Sequence, residues 1–457
     1  MTEHAIRRQR VAVLLMVVAL FAAACGAGGE DEESAEDGDA GGDDSVSGTA
    51  TLLSAYSEPD DIAGIDDLVA AFAARYPDAE LTHESAPSAD DLRTRVAAGD
   101  PPQLLLAPPG VLPGLHEQGA LVALDELVDV DTLESEYLPG ALRSGMVGDD
   151  LVGLPVRLGV ESLVWYRSDV FAEQGYEVPE TWDDLLALSD QIRGDVGAMG
   201  MAPWCLGLED GAASGATLTD WIEDVMLRLH GGEVYDRWVG HDVTFDSPEV
   251  RQAFEQVAQV WFTEGNVLGD PQNIAQTNVE AAAAPMFEDP PACLLHRQGG
   301  GIRTSFPDNA EVGGNVDVFA LPPIGDGTGE QALLLSGDVL SVTEDSALTR
   351  AFARFVASAE GQEAWARAGA MMCANASCSP DAPSDDTISR QRTLLEDAAV
   401  TRFDASELMP PDVGAGAFAA AGTAWVAGER KLGATLRAID GAWPQGACGV
   451  SGVGPNC

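Results

Sequence analysis

From residue 49 onward, apolar and polar positions fall into short runs that switch between two periods. Residues 51–56 form a short apolar run and read as a strand. Residues 62–75 carry Ile65, Leu68, Val69 and Phe72 at the spacing of one helix face, and Pro77 stops that pattern. Residues 79–83 read as a second strand, 89–98 as a helix ended by Gly99, 103–107 as a buried strand, and 111–118 as a helix closed by Gly119. This repeated β-α-β pattern predicts α/β layers, with a ligand site outside the carboxyl ends of the strands. Further along, Thr181 can cap a helix over 182–193 with Asp184 in capping-box position. Ser247-Pro248-Glu249 opens a helix over 250–262, and Ser358-Ala359-Glu360 opens a shorter one bearing Trp365.

The N-terminus departs from that rhythm. Arg7, Arg8 and Arg10 precede an apolar run of 14 residues, 11–24. A stable membrane span needs roughly 20. The run ends in Ala22-Ala23-Ala24 before Cys25, which reads as a signal peptide (1–24) with a lipoprotein-type cleavage site and Cys25 as the lipidated residue. The segment 26–48 holds nine acidic residues and no basic one, so it reads as a solvated, self-repelling linker. The protein is therefore expected at the extracellular face of the cell membrane, attached through the lipid anchor alone.

The remaining chain is too long for one ordinary core and suits two lobes. With 75 acidic against 24 basic residues, the formal charge is −51, and Lys431 is the single lysine. Such a surface repels phosphates, which argues against nucleic acid and for a neutral or cationic ligand. It is also what a solubility or high-salt adaptation produces. Beyond Cys25, six cysteines remain, an even number that fits an oxidising compartment. Local spacing suggests Cys373 with Cys378 and Cys448 with Cys457, which leaves Cys205 with Cys293. No zinc spacing is present: His116-Glu117 starts like a zincin helix, but Ala120 stands where the second His belongs. No nucleophile elbow, P-loop, dinucleotide fingerprint or EF-hand run occurs, so neither catalysis nor a cofactor or metal is indicated. A glycosidase using two carboxylates is the enzyme alternative, yet nothing selects one pair.

Several motifs resemble the extracellular solute-binding proteins of carbohydrate ABC transporters. They are Gly153-Leu154-Pro155-Val156, Ser162-Leu163-Val164-Trp165-Tyr166, Val178-Pro179-Glu180-Thr181-Trp182-Asp183-Asp184-Leu185, and Glu360-Gly361-Gln362 with Trp365-Ala366. Pro203-Trp204-Cys205, Gly207-Leu208-Glu209, Thr219-Asp220-Trp221-Ile222-Glu223-Asp224, Pro290-Pro291-Ala292-Cys293 and His296-Arg297-Gln298 are similar to the alpha-glucoside-binding type. The resemblance implies a two-lobed periplasmic-binding-protein-like fold (type II), each lobe a mixed sheet flanked by helices about a hinge. The first lobe would comprise 49–157 plus 318–368 and the second 158–317 plus 369–446, with 447–457 as a tail. It also sets Cys205 and Cys293 on neighbouring strands. The implied function is capture of a sugar, such as maltose, trehalose or sucrose, by a monomer that delivers it to the permease; another sugar, a polyol or a cationic solute is the alternative.

Sugars need carboxylates, guanidiniums and amides for hydroxyls, and aromatic faces for C–H patches. The candidates are Tyr56 and Glu58 after the first strand, and Arg157 and Glu161 on the crossing strand, where period two sets them on one face with Trp165. Glu209, Asp220, Trp221, Arg297 and Gln298 come from the glucoside-type motifs, Asp338 from the second crossing and Phe418 from a late glycine-rich segment. Ala107 stands where the maltose-binding branch has Trp, and Ala419 replaces a second aromatic beside Phe418. Fewer stacking faces imply a smaller or differently gripped ligand.

Overall fold

The computed structural model describes residues 46–444 apart from 57–58, 87–93, 97, 100, 326–330, 367–370 and 380–385. Cys25, the signal peptide, nearly all of the linker, Glu58, most of the 89–98 helix, Cys448 and Cys457 lie outside the described residues.

The first sheet collects the runs expected to be buried. β1 (Gly48–Ser54) lies between β2 (Ala79–Ser85) and β3 (Leu104–Ala107), parallel to both. After the small hairpin of β4 (Met146–Val147) and β5 (Asp150–Leu151), β6 (Leu154–Val160) enters the same sheet. Between β1 and β2 runs the helix Pro59–Arg75, whose Ile65, Leu68 and Phe72 are buried as their spacing requires. The chain then leaves for a second sheet. β7 (Leu163–Tyr166) follows β6 with only Glu161 and Ser162 between. It pairs with β9 (Cys293–Arg297), which in turn pairs with β8 (Ala202–Trp204). Helices Trp182–Val196, Ala216–Val239 and Pro248–Trp261 belong to this half. The first carries the expected capping box, Thr181 with Asp184, and Ser247 caps the third.

Two expected lobe boundaries move. β10 (Asp317–Ala320), assigned to the first lobe's return, pairs antiparallel with β7 in the second sheet. Phe319 is the reason: it is buried, with its ring 5.6 Å from that of Tyr166. The return crossing therefore comes later, as β11 (Ala332–Val342). β11 is 11 residues long, antiparallel to β6 and β3, and joins the first sheet between them. β12 (Met372–Cys373), assigned to the second lobe, pairs with Leu158 and Arg157 of β6 in the first sheet. The third crossing thus follows it, through helix Asp386–Glu396 and β13 (Val400–Phe403), which lies parallel to the start of β11.

The second lobe has an aromatic core. Trp204, Trp221, Trp238, Trp261 and Phe418 are all fully buried there. Each aromatic removes 150–250 Å² from water, on the order of several kcal/mol of transfer free energy per ring. Cys205 and Cys293 meet across this sheet's edge with Cα atoms 5.7 Å apart, and Cys373 and Cys378 with Cα atoms 6.4 Å apart. Both separations suit a disulfide. Among the described residues no helix is long and apolar enough to cross a membrane.

Candidate functional site

The three crossings bring charged side chains together where the two sheets meet. On the first-lobe side, Arg157 of β6 stands opposite Asp338 of β11 and donates to it through Nε. Its Nη1 donates to Asp61 Oδ1 at 2.7 Å, from the first turns of helix Pro59–Arg75. The guanidinium carbon lies 4.3 Å from the Trp365 ring centroid and 5.3 Å from that of Tyr56, within cation–π range. A bulge at Asp338/Val339 aims Asp338 at Arg157, and Gly337 permits it. Its φ is +150°, and a β-carbon there would lie 2.1 Å from the Arg157 carbonyl oxygen.

On the second-lobe side, one face of helix Ala216–Val239 carries Asp220, Glu223, Asp224 and Arg228 at helical spacing. Asp224 is fully buried. It accepts from Ser162 Oγ at 2.6 Å, from Arg297 Nη2 at 3.1 Å and from Arg228 Nη1. Arg228 also donates to the carbonyls of Leu321 and Ala332, both at 2.7 Å. The Ser162 hydroxyl receives the Leu334 N–H at 2.7 Å. This network therefore ties the first and second crossings to one helix. Glu223 binds the third, accepting from Ala405 N at 2.6 Å and Ser406 N at 3.1 Å, beside Asp404, which caps the turn Ala405–Leu408.

Carboxyl groups outnumber guanidiniums in this region, and burial sets their charge. Glu161 is pushed up by burial, with Ser336 Oγ at 2.5 Å and Arg297 opposing. Asp220 and Glu223 are pushed well up by burial and then by Asp404, and Glu407 by burial and then by Asp404, Asp338, Glu161 and Asp220. Burial alone pushes Asp338 up, but the Arg157 guanidinium donating to it opposes that push; with the pair in place we take Asp338 as the charged member. Burial works against the charge on Arg297, yet Asp224, Asp220 and Glu161 outweigh it and hold its pKa above the usual value. The region thus offers both carboxylates that accept and acids that donate, beside aromatic rings. Among the described residues no group of His, Cys, Asp and Glu is placed to hold a metal ion.

Of the residues expected from the sequence, Tyr56, Arg157, Glu161, Asp220, Arg297 and Asp338 gather here. Gln298 adjoins them: its carbonyl accepts from Trp165 Nε1 at 3.0 Å, and its own Oε1 is buried without a partner. Three others are not presented to a solute. Trp221 is fully buried where the second core meets the site, its ring 5.4 Å from Trp204, 5.9 Å from Trp261 and 5.9 Å from the Arg297 guanidinium carbon, so neighbours cover the ring expected to meet a solute. Phe418 is equally buried, against Phe245 at 5.0 Å and Trp238 at 5.9 Å. Glu209 is exposed on a loop, where it accepts from Asn278 Nδ2 at 3.2 Å and Gly211 N at 3.3 Å. Sequence reasoning passed over Asp61, Glu223, Asp224, Arg228, Asp404, Glu407 and Trp365. The helical spacing of residues 220, 223, 224 and 228 was a usable signal; nothing local marks the others.

A family model described as bacterial extracellular solute-binding protein matches residues 56–363. An osmoprotective compounds-binding protein of Synechocystis sp. is 33% identical over 358 residues, covering 78% of this chain and 83% of that protein. An alpha-glucosides-binding periplasmic protein of Rhizobium meliloti is 33% identical over 332 residues, covering 70% and 71%. Among solved structures, the bacterial solute receptor AcbH superposes with a TM-score of 0.72 at 16% identity, covering 86% of this chain and 98% of that one. A chitin oligosaccharide binding protein gives 0.69 at 18% identity, with the same coverage. These likenesses establish the two-domain fold, and the family is one of binding proteins rather than enzymes. The chain belongs to the bacterial extracellular solute-binding protein family.

Proposed function

We propose that the protein captures a sugar between its lobes, an alpha-glucoside disaccharide first among candidates, and delivers it to the permease of an ABC importer. The observation that carries this reading is Arg157, held by Asp338 and Asp61 and flanked by Tyr56 and Trp365, on the opposite side from Asp220, Asp404 and Arg297. Guanidinium and carboxyl groups match hydroxyls, and the half-buried Tyr56 ring matches the apolar face of a pyranose. The alpha-glucosides-binding relative supports the alpha-glucoside class. Cys25 serves as the lipid anchor that holds a monomer at the outer face of the membrane. Cys205–Cys293 and Cys373–Cys378 are disulfides in this reading, with Cys448–Cys457 as the third.

The test is thermal unfolding of the mature protein against maltose, trehalose, sucrose, glucose and glycerol. A ligand at 100 times its dissociation constant adds about 2.7 kcal/mol. A rise in Tm with at least one disaccharide supports the reading; no shift with any of them refutes it.

A further inference from the structure

The segment Asp404 to Glu407 touches the first lobe where no role has yet been assigned. Gly110, just after β3, lies so near that a β-carbon on it would sit 1.8 Å from the Glu407 carbonyl oxygen. Glu407 therefore stands at the seam between the lobes. Its Oε2 is buried with no hydrogen-bond partner among the described residues. Other polar atoms without a hydrogen-bond partner among the described residues are Arg297 Nε, on a fully buried side chain, the Tyr56 hydroxyl and Gln298 Oε1. Buried polar groups in native proteins are nearly always satisfied, so an open carboxyl oxygen at the lobe interface points to a hydroxylated partner.

The charge around Glu407 can be followed element by element. Asp338 comes from β11, Glu161 from the link between β6 and β7, Asp220 from helix Ala216–Val239 and Asp404 from its own segment; all four push its carboxyl up. Glu223, on that helix, is committed to the Ala405 and Ser406 N–H groups. The nearby cations are also committed, Arg157 to Asp338 and Asp61, Arg297 to Asp224 and Asp220. The turn Pro109–Val111 brings no titratable group, and Asp412 of the turn Asp412–Phe418 is exposed. A carboxyl ringed by acids, with no base of its own, keeps its proton. It is then a donor as well as an acceptor.

We propose that Glu407 is a recognition residue of the interlobe cleft, its buried, unpartnered carboxyl oxygen at the lobe seam meeting a sugar hydroxyl. This rests on the sugar-capture reading above. One consequence follows: capture weakens as the medium turns alkaline.

The experiment has two arms. Without ligand, infrared difference spectra at pH 7 between the parent and Glu407→Gln should show a protonated-carboxyl band in the parent that the variant lacks. With maltose, trehalose and sucrose as probes, calorimetric titration from pH 6 to 9 should show the parent weakening at least tenfold. Glu407→Gln, whose amide donates at every pH, should stay within about threefold across the range. Glu407→Ala, folded by circular dichroism, should bind at least tenfold more weakly than the parent at pH 6. Absence of the infrared band, or variants that follow the parent's affinity and pH profile, overturns the assignment of Glu407. A parent with the band that binds none of the probes refutes the sugar reading and, with it, this contact.

Discussion

Replacing Gly110 by Ala puts one methyl group into the seam between the lobes. The new β-carbon would lie 1.8 Å from the Glu407 carbonyl oxygen and 3.0 Å from its carbon. Ordinary contact needs about 3.4 Å or more, so this edge of the cleft must open by roughly 1.5 Å. Both neighbours are backbone and cannot swing aside. Overpacking of this kind costs about 1–3 kcal/mol. Here the cost falls on the closed arrangement, because an open cleft has room for the methyl. Sugar affinity should drop by about 5- to 150-fold at 1.4 kcal/mol per decade, while the unfolding midpoint without sugar changes little. Gly114, four residues on, is the control: a β-carbon there has nothing within 4 Å, so Gly114→Ala should bind as the parent does. The assay is calorimetric titration of the three proteins with maltose or trehalose, with denaturant melts alongside. A Gly110→Ala protein that binds like the parent refutes the claim that capture draws Gly110 onto Glu407.

Three further outcomes are expected. Replacing Cys205 and Cys293 together by Ser opens a link across 88 residues, and the loop-entropy relation gives a loss of about 4.6 kcal/mol, read from guanidinium melts; unchanged stability would mean that no bond links the two. Arg297→Ala should destabilise the fold by about 3–5 kcal/mol, since it removes the buried guanidinium that faces Asp220 and shares Asp224 with Arg228; a loss of affinity at parental stability would make Arg297 a solute contact alone. Stability should fall between pH 5 and 9. Glu161, Asp220, Glu223 and Glu407 are raised when folded, whereas unfolded carboxylates titrate near 4, so the folded state retains protons that the unfolded chain has released. Their contribution is full below about pH 4 and is lost as pH rises through the raised values; a guanidinium midpoint that climbs from pH 5 to 9 contradicts this.

Much of the fold was legible because its signals are local. The period of Ile65, Leu68 and Phe72, the Thr181–Asp184 capping box and the buried run at Leu104–Ala107 are each set within a few residues. The crossings were harder to place. Whether β10 joins one sheet or the other depends on Phe319 finding Tyr166, more than a hundred residues away in sequence. The site divides in the same manner. Arg157 on the crossing strand and Asp338 at the second crossing were each named, with no sign that they pair, and the structure sets them face to face. Trp221 and Phe418 misled because an indole or phenyl ring fills a core as readily as it stacks on a sugar, and only tertiary packing tells which. Asp404 and Glu407 gave no signal among 75 acidic residues, since their significance lies in the burial that chain reversal imposes.

The central claim is that the solute is held between two lobes and draws them together. Contacts from both sides favour the closed state, so binding shifts the population toward it. Small-angle scattering of the mature protein, with and without a sugar at saturation, measures this most directly. The radius of gyration should decrease on binding. A sample whose calorimetric titration shows stoichiometric uptake, and whose radius of gyration does not change, contradicts the account.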